Sequence, residues 1–574
     1  RYEDLVARPR ETVEILCRFL ELPFAPDTLD YHVGRQRNEP GLSAKKAWLP
    51  PTPGLREWMT QMSERDAAVL EALAGDLLTS LGYERATGVP SPAIRVLAQR
   101  YQNRWEAELQ LRRAKRGQTA GRRPLMTGAA AFMDGLVRDA ATLVPEDLVL
   151  PHLAEALDPV AMLALFRRNL APTGGFGIEA CMVDRIRYRR GARAVVQYTA
   201  RLVGPSGEQR EQWITALLYP RERARQVWGK LETSMPTIAA PGAVLPPVAF
   251  ASDSSLILQV FPLDRRLPSL PALLNPERLK SVLPRSRAGA NAWTAEAVRY
   301  RAGLGCALRW RLDAPSNGSD TWYVKAYRDL QGARTHRALL TLGSALGGRG
   351  FTVPEPVAYL EDHRALIQDE VTGRSLADVL LAQDEAAPVM ERVAEALAAF
   401  HREVPAPARR RTKSDELDDV RRAAALVTWV RPALTDTVRG VVACVAEGLD
   451  DVEPAATHGD LKPDHIVLSG DSLTVLDLDW FAGSDPVTDV GSLIARLTGM
   501  AQRRPSLAPR IEGVGRAFAE AYFARVPSAW QRRFPTHYAR ALLHEAGGCF
   551  RHQLPDWPDL MDAIVQRAME VLSR

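Results

Sequence analysis

An internal repeat in the middle of the chain constrains the fold more than any other feature of the sequence. Residues 187–198 parallel residues 299–310, and both runs begin Arg-Tyr-Arg and alternate apolar with polar residues around a glycine. Three further pairs of short segments extend the parallel to residue 259 in the first copy and residue 368 in the second. Alternation over short runs predicts strands, and the stretch after the third run predicts a helix. The repeat therefore predicts two small antiparallel sheets in tandem, each carrying one helix.

The second half of the chain has the pattern of a helical domain. Apolar residues recur at helical spacing from Val393 to Phe400, and amphipathic stretches fill residues 414–448 and 506–574. Residues 457–489 break this pattern with short β-type runs and acidic residues. We therefore expect a mostly helical lobe into which one non-helical segment is inserted.

The composition is that of a globular protein that folds in water. At 574 residues the chain exceeds what one hydrophobic core usually organises, so two or three domains are expected. The apolar fraction of 46% and the charged fraction of 25% exclude a disordered, fibrous or membrane-embedded chain, and no apolar run is long enough to span a bilayer. A net charge of +5 does not indicate a nucleic-acid partner, and five scattered cysteines favour a reducing, cytoplasmic setting.

The segment at residues 457–480 carries the residue types of phosphoryl transfer. Two β-type runs flank a loop that holds several acids and one lysine. Phosphoryl transfer needs a carboxylate that orients or deprotonates the attacking hydroxyl, a second carboxylate that holds Mg²⁺, and a cation for the phosphate oxygens. Asp460, Asp477 and Lys462 supply these three groups.

The order of motifs in this segment resembles a known family. The sequence His-Gly-Asp-Leu-Lys-Pro-Asp-His at residues 458–465 is similar to the catalytic loop of the aminoglycoside phosphotransferase and choline kinase family. The resemblance implies that Asp460 is the catalytic base, with Lys462 beside it at the phosphate, and that Asp477 is the main Mg²⁺ ligand. It also implies that Asp489 is a structural partner of the catalytic loop.

The small lobe of that family contributes a lysine and a hinge. Lys325, within Trp-Tyr-Val-Lys-Ala-Tyr, matches the lysine that binds the α- and β-phosphates of ATP. Only three lysines follow residue 290, and Lys325 and Lys462 are two of them, at positions where a guanidinium does not replace a compact ammonium. The resemblance implies that the backbone carbonyl of Asp369 and the backbone NH of Val371 recognise adenine.

Two glycines are candidates for the phosphate-binding hairpin. Gly303 and Gly305 lie where the backbone of the family approaches the phosphates, although an ordinary turn explains them equally well.

The chain departs from the family pattern at three places. His465 stands where the family has Asn as a second metal ligand, which predicts weaker Mg²⁺ binding or a shift towards Mn²⁺. The helix predicted after Lys325 has no acid to pair with that lysine, so Glu355 or another acid must substitute. The first repeat has Ala216 or Leu217 in place of the lysine, so we expect a degenerate lobe that packs or regulates.

The first ninety residues resemble the C-terminal end of bacterial sulfotransferases. We expect a short strand at residues 1–5, an amphipathic helix after Pro9, and a helix that ends at Leu81. The chain begins with Arg1 rather than Met, so an upstream part of that domain is expected. The predicted domains are a sulfotransferase piece (1–88), a basic helical linker (89–140), a degenerate lobe (141–284), a small lobe (285–375) and a helical lobe with the catalytic loop (376–574).

These features predict an α+β, protein-kinase-like fold with a duplicated small lobe. The expected function is transfer of the γ-phosphate of ATP, with Mg²⁺, to a hydroxyl of a small molecule. Two alternatives stay open: a pseudokinase that binds nucleotide without transfer, or one part of a bifunctional sulfotransferase and kinase.

Overall fold

The computed structural model divides the chain into two compact units, residues 1–137 and 138–574, each described here by itself. The structure describes residues 2–19, 24–25, 29, 64–82, 90–91, 94–95, 98, 144–234, 244–275, 292–314, 318–346, 350–382, 386–554 and 556–573. Most of the predicted basic linker lies outside these residues.

The first unit contains three described helices: α1 (Tyr2–Ala7), α2 (Pro9–Phe19) and α3 (Glu64–Ser80). The predicted helices after Pro9 and before Leu81 are confirmed. The predicted strand at residues 1–5 is wrong, because this segment forms a helical turn in which the backbone NH of Arg8 donates to the carbonyl of Asp4. The side chains of the same two residues approach to 3.4 Å, which supports the helical spacing.

The second unit begins with two short helices and a five-stranded antiparallel sheet. The elements are α4 (Leu153–Ala156), α5 (Pro159–Asn169), β1 (Gly177–Arg189), β2 (Arg193–Val203), β3 (Gln209–Leu218), α6 (Arg221–Ser234), β4 (Val248–Ala251) and β5 (Leu256–Val260). The strand order is β1-β2-β3-β5-β4. The helix α6 follows the third strand, as the repeat predicts.

A second five-stranded sheet follows with the same succession of elements. The short helix α7 (Leu270–Leu273) precedes β6 (Ala292–Arg301), β7 (Gly305–Ala314), β8 (Gly318–Tyr327), α8 (Gln331–Ala345), β9 (Phe351–Thr352), β10 (Pro356–Leu360) and β11 (Ala365–Asp369). The strand order β10-β11-β8-β7-β6 is that of the first sheet read from the other edge, with β9 outside it.

Strand register settles which residue of the first sheet corresponds to Lys325. On the second sheet Lys325 lies between Ala307 on β7 and Leu366 on β11. On the first sheet Leu217 lies between Val195 on β2 and Ile257 on β5, the residues that the repeat aligns with Ala307 and Leu366. Leu217, rather than Ala216, therefore occupies the position of the lysine.

The two sheets pack against each other through non-equivalent faces. The face of the first sheet that carries Leu217 contacts the face of the second sheet that lies opposite Lys325. Leu217 and its neighbours on β2 and β5 share one buried apolar cluster with Leu308 and Val324 of the second sheet. Side chains of adjacent residues in a strand point to opposite faces, so Lys325 lies on the other face of its sheet. That face lies towards the helical half. Leu366 of β11 and Leu339 of α8 belong to the same buried apolar cluster as the core of the helical half.

The remainder of the second unit is the predicted helical lobe with a short β segment. Its helices are α9 (Leu376–Leu381), α10 (Ala387–Glu403), α11 (Lys413–Val430), α12 (Thr435–Gly448), α13 (Val487–Gln502), α14 (Ala508–Phe523), α15 (Ser528–Arg551) and α16 (Trp557–Leu572). The strands are β12 (Arg374–Ser375), β13 (Ala455–Thr457), β14 (Ile466–Ser469), β15 (Ser472–Val475) and β16 (Ala482–Ser484). Among the described residues, no helix combines the length and the apolar character that a membrane crossing requires.

A buried ion network fixes the start of α13 against α15. The carboxylate of Asp485 accepts hydrogen bonds from Arg533 at 2.6 and 3.0 Å and from the backbone NH of Val487 at 3.0 Å, and it lies 3.0 Å from Nε2 of His537. Burial alone would raise the pKa of Asp485, but the bonds from His537 and Arg533 outweigh it and lower that pKa. The ionised carboxylate therefore stabilises the folded lobe.

We predict that Asp485→Asn lowers the free energy of unfolding by about 3 kcal/mol at pH 7, because it removes one partner of a buried ion pair. A carboxyl whose pKa is lowered by folding stabilises the protein above its unfolded pKa of about 4 and loses that contribution as the pH falls. The difference between variant and wild type should thus shrink below about pH 4. Chemical denaturation at pH 7 and pH 3 measures it, with Asp436→Asn, a 95% exposed side chain on α12, as the control. An equal difference at both pH values contradicts the assignment.

Candidate active site

The catalytic-loop motif lies in a loop held by one buried carboxylate. Asp489 on α13 accepts hydrogen bonds from the backbone NH groups of His458 and Gly459, at 2.7 and 2.8 Å, and lies 3.1 Å from Nε2 of His401. Gly459 has a φ of +82°, and a Cβ there would approach the carbonyl oxygen of Trp480 to 2.6 Å. The loop conformation therefore requires both a glycine and an acceptor at these positions.

Asp460 extends from this loop beside Lys462. The Nζ of Lys462 donates to Oδ2 of Asp460 at 3.2 Å, and His458 braces the loop through a 2.8 Å contact between its Nε2 and the carbonyl of Leu476. Burial favours the neutral carboxyl, but Lys462, together with further positive groups such as Arg496, outweighs it and lowers the pKa of Asp460 to about 2. Asp460 is therefore ionised at neutral pH.

Asp477 follows β15 in a left-handed backbone conformation. Its φ of 61° and ψ of 54° are uncommon for a residue with a side chain, and such strain concentrates at functional sites. Its Oδ1 lies 2.5 Å from the Nζ of Lys325. Burial opposes its ionisation, but the charge and the hydrogen bond of Lys325, together with the charge of Lys462, outweigh burial and hold the pKa of Asp477 well below its usual range.

Asp479 is the carboxylate that pairs with Lys325. It takes the role of the acid that α8 lacks. Its Oδ2 accepts a hydrogen bond from Nζ of Lys325 at 2.6 Å. Its Oδ1 accepts from the hydroxyls of Tyr327 and Thr335, both at 2.9 Å, and Gln331 donates to its carbonyl oxygen. The helix α8 thus reaches the lysine through neutral side chains that hold Asp479. Sequence reasoning did not assign this residue a role, although the Leu-Asp-Leu-Asp pattern contains it.

A divalent cation has three suitable ligands in the site. Donor atoms of Asp460, His465 and Asp477 all lie within 4.8 Å of one another. Both ring nitrogens of His465 are buried without a hydrogen-bond partner among the described residues, although Nε2 lies 3.4 Å from Oδ2 of Asp477. Burial lowers the pKa of His465 well below its usual value, so its ring is neutral and offers a lone pair. This donor set fits a metal ion.

The predicted adenine-binding residues follow directly on the lysine's sheet. Asp369 ends β11, the strand that pairs with β8, and its NH donates to the carbonyl of Glu355 at 3.0 Å. The NH of Glu370 donates to Thr321 at 3.3 Å, and Val371 comes next in the chain. The hinge therefore borders the sheet that carries Lys325. Glu355, a predicted substitute for the helix acid, lies at this hinge, and Asp479 makes the contact with the lysine instead.

The local backbone structure requires glycine at both Gly303 and Gly305. Gly303 has a φ of +63°, and its NH donates to Oδ2 of Asp264, a residue of the loop after the first sheet. A Cβ at Gly305 would approach the carbonyl oxygen of Ala326 to 2.9 Å. Their role at the phosphates stays a prediction, and the NH of Gly303 already has an acceptor.

Comparison with known families places a phosphotransferase domain in this region. Residues 307–544 match the model of the phosphotransferase enzyme family. The matched region contains every residue assigned to the site except Gly303 and Gly305, which precede it. The match covers less than half of the chain and supports a phosphotransferase domain in this region. A comparison with curated proteins gives no match.

Several solved structures of kinases are similar to this chain. A choline/ethanolamine kinase family protein from Mesorhizobium loti is 16% identical with a TM-score of 0.36, covering 53% of this chain and 95% of that protein. Choline kinase LicA from Streptococcus pneumoniae is 12% identical with a TM-score of 0.35, covering 52% and 97%. Aminoglycoside phosphotransferase APH(4)-Ia is 13% identical with a TM-score of 0.38, covering 51% and 98%. The domain assignment rests on the family match rather than on these alignments.

We predict that Asp489→Ala exposes the catalytic loop to solvent exchange. The variant leaves two buried NH groups without their acceptor, at a cost of about 3 kcal/mol, so amide exchange of residues 457–461 should accelerate by about a hundredfold. Hydrogen exchange measured by mass spectrometry tests this, with Asp464→Ala, an exposed residue of the neighbouring turn, as the control. Unchanged protection in Asp489→Ala contradicts the role of the carboxylate.

Proposed function

We propose that residues 285–574 form an ATP- and Mg²⁺-dependent phosphotransferase that transfers the γ-phosphate to a hydroxyl of a small molecule. One observation carries the proposal: Lys325 and the segment that holds Asp460 and Asp477 are more than a hundred residues apart in sequence and converge on one site. The 2.5 Å contact of Lys325 with Asp477 and the 4.8 Å grouping of Asp477, Asp460 and His465 support it.

Asp460 is the residue that acts on the acceptor hydroxyl. A carboxylate with a pKa of about 2 is a weak base at neutral pH, so its main contribution is to accept the hydrogen bond of the hydroxyl and orient it. The proton then transfers as the oxygen attacks the phosphorus and becomes acidic. Lys462, held on the same carboxylate, places a positive charge beside the phosphoryl oxygens.

Asp477 and His465 would hold the divalent ion, and Asp460 borders the same position. The ion, when bound, neutralises phosphate charge during transfer. Because one ligand is an imidazole nitrogen, the site would accept Mn²⁺ more readily than an all-oxygen site does.

Lys325 would bind the α- and β-phosphates of the nucleotide. Partial burial alone would lower its pKa, but Asp477 and Asp479 outweigh it and raise the pKa, so the lysine is a permanent cation. The backbone of Asp369 and Val371 would recognise adenine, and Gly303 and Gly305 would lie near the phosphates.

The rest of the chain supports a more complex parent protein. The first five-stranded sheet has the strand order and helix position of the second, and Leu217 takes the place of Lys325. We infer that it is a degenerate copy of the small lobe. Residues 1–88 would be the C-terminal part of a sulfotransferase domain, which makes a bifunctional parent protein a further proposal.

We predict that Asp460→Ala lowers turnover by about 10² to 10⁴, because positioned acid–base groups contribute that much. The measurement is phosphate transfer from ATP to a panel of amino-alcohols, sugars and acidic alcohols. Asp464→Ala, which removes an exposed carboxylate from the same loop, should keep wild-type turnover. An unchanged rate in Asp460→Ala would refute the assignment. Nucleotide binding without any product in the wild type would favour the pseudokinase alternative.

We also predict that His465→Asn changes metal preference. The amide oxygen is a ligand of the type Mg²⁺ prefers, so the ratio of turnover in Mg²⁺ to turnover in Mn²⁺ should rise several-fold. Initial rates at saturating concentrations of each metal give the ratio. A conservative change away from the site, His336→Asn on α8, should leave the ratio unchanged. If His465→Asn also leaves it unchanged, His465 is not a ligand.

A further inference from the structure

A second polar cleft lies on the first sheet and borders the hairpin of the second sheet at Ala302 and Gly303. It is an open cleft rather than a closed cavity, and it lies between β1, β2, β3, β5 and the loop that follows β5. Its polar lining comes from Arg187, Arg193, Arg265, Arg266, Gln259 and Asp264. Leu217 also lines it, so the cleft lies on the face that corresponds to the Lys325 face of the second sheet.

The cleft carries an excess of positive charge. It has four arginines and one carboxylate, and none of the four guanidinium groups forms an ion pair with a carboxylate of the described residues. The carboxylate of Asp264 is already used: its oxygens accept from the hydroxyl of Tyr300 and from the NH groups of Gly303 and Arg266. Partial desolvation and then the charge of Arg193 lower the pKa of Arg187 to about 10. The four arginines therefore repel one another, and Asp264 is the one carboxylate lining the cleft that offsets part of their charge.

A buried amide adds an unused donor to the cleft. Gln259 is 4% exposed, and its Nε2 has no hydrogen-bond partner among the described residues. A buried polar group without a partner costs free energy, so such a group is usually satisfied by a bound molecule or serves a function.

The cleft also touches the hairpin of the second sheet. Arg187 donates to the carbonyl oxygen of Ala302, and the side chains of Arg187 and Arg266 both lie 3.3 Å from the position of a Cβ on Gly303. Nearby, the buried amide of Gln197 donates to the carbonyl of Tyr300 at 3.0 Å and accepts from the NH of Ala302 at 3.2 Å. The first sheet thus holds the tip of this hairpin from one side.

We propose that this cleft is a binding site for a small phosphate compound with several negative charges, separate from the catalytic site. Guanidinium groups form paired hydrogen bonds with phosphate oxygens, and four of them around one space match a di- or polyphosphate group better than a single carboxylate. The amide of Gln259 supplies a neutral donor at the floor of the site. The proposal concerns binding alone and does not depend on phosphotransfer by the second lobe.

Pyrophosphate is the probe, titrated into the full chain by calorimetry without divalent metal and at constant ionic strength. Wild-type protein should bind it, and Arg193→Gln and Gln259→Leu should each weaken binding by on the order of tenfold, because each removes a hydrogen-bond donor from the bound anion. Arg225→Gln on α6 removes the same charge from an exposed position and should bind as the wild type does. Circular dichroism confirms that each variant is folded.

Lys325→Met distinguishes the two sites. It removes the ammonium of the proposed nucleotide site and leaves the cleft intact, so pyrophosphate binding should persist with the wild-type dissociation constant. Binding that is lost in Lys325→Met and kept in Arg193→Gln would overturn the proposal. So would a wild type that binds no pyrophosphate, or an Arg225→Gln variant that loses as much affinity as Arg193→Gln.

Discussion

The contact of one ammonium with two carboxylates joins the sheet to the helical lobe. Lys325 belongs to the second sheet, whereas Asp477 and Asp479 belong to the β segment of the helical lobe, more than a hundred residues later. Asp477 keeps its charge in a partly buried place because Lys325 is near, and Lys325 keeps its charge because Asp477 and Asp479 are near. One set of ion pairs therefore fixes the placement of Lys325 relative to Asp477, the proposed phosphate-binding cation and the proposed metal ligand, and it also orders Asp479 against α8.

The same balance between burial and counter-charge recurs through the helical lobe. Asp489 is fully buried and keeps its charge through two backbone NH groups and His401. Asp485 does so through Arg533 and His537. Both acids lie at the start of α13, so this one helix positions the catalytic loop and attaches it to α15. His465 is the exception: its burial has no compensating bond within the described residues, which is the property expected of a metal ligand.

Much of the fold and of the candidate site could be predicted from local sequence patterns. Most of the predictions that failed or were missing depend on contacts between residues far apart in sequence. Alternation and repeat spacing predicted both sheets, and the motif around Asp460 predicted the site, because these signals depend on neighbours in sequence. The ion pair of Lys325 with Asp479 could not be predicted, since the expected acid was sought on α8, whereas the structure supplies it across the lobes. The hydrogen bond from the NH of Gly303 to the carboxylate of Asp264 is likewise a contact between separate elements that local sequence patterns do not show. The prediction for residues 1–5 failed for another reason, because a run of five residues is too short for its periodicity to distinguish a strand from a helical turn.

The stacking of the sheets explains why position 217 of the first sheet holds an apolar residue where the second sheet has Lys325. The face that holds Lys325 on the second sheet meets the polar β segment of the helical lobe, where two carboxylates compensate its charge. On the first sheet the equivalent face meets the apolar back of the second sheet, with Leu308 and Val324, so an ammonium at position 217 would be buried without a partner. Leucine is the stable choice at that position. Near the tip of the β6–β7 hairpin, the same face of the first sheet is polar. Its positive charges there come from arginines.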